Sequence, residues 1–111
     1  MRRLLRKQWI DENTGKVSLN AYYLRKKKNE MGLSVRIASV CTPSECADRF
    51  RNCYGVVSLQ VGSIRELGLD VVLDSQSHGQ IVGLPYREDD RTTADRLADS
   101  LASLSQIVWR P

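Results

Sequence analysis

What this chain lacks narrows its chemistry before anything it contains. It has no glycine-rich phosphate loop, no pair of carboxylates at a catalytic spacing, no HExxH helix and no Gly-x-Ser-x-Gly elbow. Each absence removes the sequence anchor of one common route to catalysis. No apolar run approaches the roughly 20 residues that span a bilayer, so no membrane segment is expected. Met1-Arg2-Arg3-Leu4-Leu5-Arg6-Lys7 carries charge with no apolar stretch behind it, which is not the pattern of a secretory signal. The cytoplasm is the expected compartment. Histidine occurs once, at His78, and there is neither an internal repeat nor a low-complexity segment. Three cysteines, an odd number, argue against a closed disulfide framework and for thiols in a reducing compartment.

What is present fits one folded domain. The 111 residues, 41% apolar and 27% charged, can build a modest single core and do not have the composition of a disordered chain. Charge is unevenly placed. Residues 1–30 carry nine Lys/Arg against three acids, whereas residues 31–111 carry eight against ten. The basic excess lies in the first quarter, which points to a polyanionic partner or an acidic protein.

The central stretch is the most legible. Thr42-Pro43-Ser44-Glu45 combines a capping threonine, a proline at the first helical position and a capping-box glutamate, and predicts a helix over 43–52. Residues 56–61 and 69–73 read as apolar strands, separated by a helical turn through Ile64–Leu67 that Gly68 stops. Upstream, residues 4–10 and the alternating 17–23 read as strands of a hairpin, and 33–40 as a further strand. Downstream, 80–84 and 107–109 read as short strands. Ala94, Leu97, Ala98, Leu101, Ala102 and Leu104 mark a helix over 91–104. The expected fold is therefore α+β: one small domain, a mixed β-sheet of short strands packed by two main helices.

The sharpest chemical feature is Arg25-Lys26-Lys27-Lys28, preceded by Tyr22 and Tyr23. Adjacent cations on a loop neutralise phosphates, and a neighbouring tyrosine, Tyr22, can stack on a base. Arg2, Arg3, Arg6 and Lys7 extend that patch if the N-terminal hairpin brings them alongside. The chain then reads as an accessory module contacting nucleic acid or a nucleic-acid-associated protein, with a bacterial toxin–antitoxin or defence system as one setting. A solvated basic turn is the plain alternative. A second class is a small nuclease or transferase, with His78 as base and Ser34 and Arg6 on the substrate; separately, Arg6, Ser34 and a downstream acid resemble the Arg–Ser–Glu layout of ADP-ribosyltransferases. A third is a protein-interaction subunit or homodimer that uses the Leu/Ala face of the last helix.

Cys41, Cys46, Cys53 and His78 have the composition of a Cys3His zinc set. Structural zinc takes knuckles of about two to four residues, and Cys46 and Cys53 fall two turns apart on the expected helix. Core thiols are expected, with no metal and no cofactor.

Three short stretches, Ser18-Leu19-Asn20-Ala21-Tyr22-Tyr23, Gly32-Leu33-Ser34-Val35 and Ser77-His78-Gly79-Gln80-Ile81, together resemble a family of small uncharacterised bacterial proteins. The shared pattern is a Ser-x-x-Ala-aromatic strand, a Leu-Ser-Val strand and a later histidine beside an apolar strand, and it covers most of the chain. Members often carry Ala where this chain has Gly79, and some carry His-Pro where it has Gln8-Trp9. The resemblance implies no established activity. It singles out Ser34 and His78 for mutation and does not imply two histidines acting together.

Overall fold

The helical period of the last apolar stretch is realised as written. In the computed structural model, which describes residues 1–39, 42–48 and 53–111, helix α3 runs Arg91–Leu104 and buries Ala94, Leu97, Ala98 and Leu101. The Asp90 carboxylate caps it by accepting from the Thr93 amide at 3.1 Å. The capping box is also present. Thr42 Oγ1 accepts from the Glu45 amide at 3.2 Å while Glu45 Oε1 accepts from the Thr42 amide at 3.1 Å. This starts helix α1, Pro43–Asp48. The expected continuation to Asn52, like Cys41 and Phe50, lies outside the described residues. Helix α2, Val61–Glu66, covers the predicted turn and is followed by Gly68 at φ +85°.

The fold is α+β, with the strands divided between two antiparallel three-stranded sheets where one mixed sheet was expected. The first holds β1 (Arg2–Leu4), β3 (Gly55–Ser58) and β6 (Gln106–Trp109) in the order β1-β3-β6. The second holds β2 (Gly32–Arg36), β4 (Asp70–Leu73) and β5 (His78–Val82) in the order β2-β5-β4. Every strand pair is antiparallel. The β4–β5 connection needs no crossover. Its turn is closed by the Asp74 and Ser75 amides on the His78 carbonyl and by the His78 amide on Ser75 Oγ.

The N-terminal hairpin is corrected. Residues 17–23 hold a 3-10 turn, Leu19–Tyr22, and the only pairing left from the expected hairpin is an isolated bridge between Ile10 and Val17. The Ser18 hydroxyl accepts from the Asn20 amide at 3.1 Å, giving the backbone a local partner that competes with a strand ladder. Ala21 and Tyr22, adjacent in sequence, are both buried, which strand alternation does not allow on one face. Residues 7–9 form another 3-10 turn.

The main core joins both sheets to α3, through residues such as Leu4, Tyr22, Leu33, Ile81, Leu97 and Leu101. A smaller cluster places Cys46 and Cys53 with Met1, Ala47 and Val56. The Leu/Ala face considered as a dimer contact is thus spent within the protomer, against the 19–22 turn. Among the described residues no helix is long and apolar enough to cross a membrane.

Leu101 is 0% exposed, so Leu101→Asp places a carboxylate where it has neither water nor a partner. We expect loss of cooperative folding, a cost of about 4 kcal/mol or more, seen as a collapsed thermal transition by circular dichroism. A folded monomer at room temperature would contradict this packing.

Candidate nucleic-acid interface

The site begins with Arg2. It lies on β1, yet its guanidinium reaches across to the other sheet. Nε and Nη2 donate to the Ala21 carbonyl at 3.0 and 2.8 Å, and Nη1 donates to the Ser34 carbonyl at 2.9 Å. Its Cζ sits 5.7 Å from the Tyr22 ring centroid. Burial lowers the Arg2 pKa, partly opposed by the charge of Glu30. Three charge-assisted bonds to carbonyls compensate the desolvation, and arginine stays a cation.

Around this anchor opens a cleft of about 710 Å³, within the size range of small-molecule sites. Arg2, Arg3, Arg6 and Arg25 supply four cations to its lining and Glu30 the one carboxylate; Trp9 and Tyr23 add rings, and Asn20 and Ser34 polar groups. The β1 strand and the following 3-10 turn bring Arg3, Arg6 and Trp9, while the 19–22 turn brings Asn20 and Tyr23. Arg25 of the basic block thus lines the same cleft as Arg2, Arg3 and Arg6, whereas Lys7 and residues 26–28 do not line it.

The basic block itself is partly committed. Residues 26–28 form a 3-10 turn ended by Asn29 at φ 51°. Arg25 binds Glu30 through its amide at 2.7 Å and through Nε and Nη2, each at 3.0 Å. Lys26 Nζ bonds Asp89 at 2.5 Å and lies 6.0 Å from the Tyr86 ring centroid. Hydrogen bonding raises the pKa of both cations. Lys27 and Lys28 are exposed and, like Arg6 and Lys7, make no ion pair among the described residues. Of the four block residues, only Arg25 lines the cleft.

Tyr22 requires a correction. It is 1% exposed and its hydroxyl bonds that of Ser105, so its ring is not available to a base. Tyr23 is the cleft tyrosine. Its hydroxyl donates to Asp95 at 2.5 Å and Arg87 lies 5.3 Å from its ring centroid. Trp9 and Glu30 were not singled out from sequence; the signal for Trp9 was an aromatic directly following Arg6-Lys7-Gln8.

The three residues of the enzymatic reading divide. Arg6 and Ser34 line the cleft and His78 does not. His78 lies at the start of β5, not in a loop, opposite Arg36 and two pairs along from the Ser34–Gln80 pair. Its Nδ1 is 2.7 and 2.8 Å from the two Asp74 oxygens. Ser34 and His78 are diagonal neighbours on one sheet face, a spacing of roughly 7–8 Å between backbones, and the His78 ring is held on Asp74. Among the described residues no group of three or more His, Cys, Asp or Glu is arranged to hold a metal ion.

The chain matches no protein-family model, and comparison with curated proteins and with solved structures finds no match. The geometry is what speaks for function.

Two outcomes follow. Arg2→Met removes three charge-assisted bonds to two carbonyls, one of them solvent-exposed, and should cost about 1–3 kcal/mol by denaturant unfolding, while Arg2→Lys, lacking the fork, recovers only part. An Arg2→Met protein of unchanged stability would contradict the anchoring role. The second concerns Glu30. Burial opposes its ionisation, but the bonds and charge of Arg25 outweigh that and hold its pKa below the ordinary value. Folding lowers this pKa, so the stabilisation is present above the unfolded glutamate pKa, about 4.3, and is lost as pH falls through the lower folded value. The advantage of the parent chain over Glu30→Gln, under about 1 kcal/mol for a pair this exposed, should shrink on acidification. A difference that grows instead would contradict the pairing.

Proposed function

We propose that this protein is a small binding module for nucleic acid and that the arginine-lined cleft is its contact. The observation that carries the reading is the convergence of four arginines with Trp9 and Tyr23 around a single carboxylate. Guanidinium groups hold phosphate oxygens in a planar fork, and an aromatic ring gives a base a stacking surface. Arg6 is the clearest phosphate ligand, being exposed and without an ion pair among the described residues. Trp9, half-buried at the cleft wall, is the stacking ring. Lys7, Lys27 and Lys28 extend the field beyond the cleft and speed encounter without fixing register. A toxin–antitoxin or defence system is one setting for such a module. The enzymatic reading has less support, because His78 stands apart from Arg6 and the cleft.

Fluorescence anisotropy with short labelled single strands across a salt series tests this. Arg6→Ala should reduce the slope of log affinity against log salt by about 0.7, and Trp9→Ala should cost about 1–3 kcal/mol with the slope unchanged. If Lys27→Ala with Lys28→Ala removes all binding while Arg6→Ala and Trp9→Ala change nothing, the cleft is not the contact.

A further inference from the structure

The one carboxylate of the cleft stands where a phosphate site has least use for it. Glu30 lies among Arg2, Arg6 and Arg25, and its charge repels every phosphate that enters. If its only task were to hold Arg25, it would cost affinity for any anionic ligand. Its hydrogen bonding, however, is incomplete. Oε1 accepts from the Arg25 amide and Nε, and among the described residues Oε2 accepts only from Arg25 Nη2. An ionised carboxylate offers about four acceptor positions, so Oε2 keeps room for one more donor. The Arg25 fork fixes the group in place, and its side chain is 23% exposed, enough to be reached from the cleft.

A donor is therefore required of the ligand, close to its phosphates and independent of base identity. Base amino groups vary with sequence, and the DNA backbone offers no donor. The RNA sugar offers one at every residue, the 2′-hydroxyl. We propose that the cleft takes a ribonucleotide unit of RNA, with Glu30 Oε2 accepting from the 2′-hydroxyl, Arg6 on the phosphate and Trp9 against the base. This rests on the nucleic-acid reading above and adds to it the choice of RNA over DNA. Discrimination arises because deoxyribose leaves the Glu30 charge in the cleft with its open position unfilled.

The test compares three labelled oligomers of the same base at one salt concentration: oligouridine, oligodeoxyuridine and 2′-O-methyl oligouridine. Each is titrated with the parent chain and with Glu30→Ala. We expect RNA to bind about tenfold more tightly than either of the others, and Glu30→Ala to bring the three affinities together. Equal binding of RNA and DNA by the parent chain would overturn the RNA assignment and leave the nucleic-acid reading standing. Tight binding of the 2′-O-methyl strand with weak binding of DNA would also overturn it, since sugar shape and not the hydroxyl donor would be recognised. A preference that survives in Glu30→Ala would remove Glu30 from the role. Binding of none of the three at low salt would sink the nucleic-acid reading and this inference with it. The oligomer comparison on the parent chain decides the question even if Glu30→Ala folds poorly.

Discussion

The Arg2 guanidinium ties the two sheets together, beside the Met1–Arg36 backbone bonds and the core they share. Arg2 belongs to the β1-β3-β6 sheet, and its bonds end on the Ala21 carbonyl of the 19–22 turn and the Ser34 carbonyl of the other sheet. A half-buried cation keeps its place when such bonds compensate the water it gives up. The compensation has a geometric consequence. It fixes β1, the turn and β2 around one point, so that Arg3 and Arg6 from the first, Asn20 and Tyr23 from the second and Ser34 from the third face a common cleft. Arg2 shares the 2–6 segment with the cleft cations Arg3 and Arg6.

Charge counting leaves out how the charges pair. Much of the positive charge is answered inside the molecule: Arg25 by Glu30, Lys26 by Asp89, Arg65 by Asp70, Arg87 and Arg91 by Asp95, and Arg110 by Glu12. The Asp95 cluster also reaches Tyr23. Its bond from the Tyr23 hydroxyl and those from Arg87 hold the Asp95 pKa below the usual range, and they brace the cleft tyrosine from behind. Arg6, Lys7, Lys27 and Lys28 make no ion pair among the described residues, and of these four Arg6 lines the cleft.

The parts of the fold that were legible are those whose instructions are local. Thr42 and Glu45 cap each other across three residues, Gly68 takes the positive φ that stops α2, and the Leu/Ala period of α3 needs only its own spacing. The misreadings share one cause. Val17, Leu19, Ala21 and Tyr23 alternate as a strand would, but Ser18 offers a local cap and the core takes both Ala21 and Tyr22, so tertiary burial decided against the pattern. His78 read as loop because the turn before it is polar, yet its backbone pairs with Arg36. Two sheets instead of one also lay beyond local signals, since which strands pair depends on partners far apart in sequence, such as Val57 with Arg2 and with Ile107. The cleft was half legible. Its cations showed in the composition, but Trp9 and Glu30 gained meaning only when the fold set them in one cleft with Arg25.

The two tryptophans provide the most direct check on this account. Trp9 lines the cleft, whereas Trp109 lies on β6 beside the smaller core cluster. Titrating isotope-labelled protein with a short RNA strand and following the indole and backbone resonances separates the two regions. The account predicts that the Trp9 indole and the amides of residues 2–9, 20–25 and 30–34 move together while Trp109 stays still. Movement confined to residues 26–28, or centred on Trp109, would contradict it.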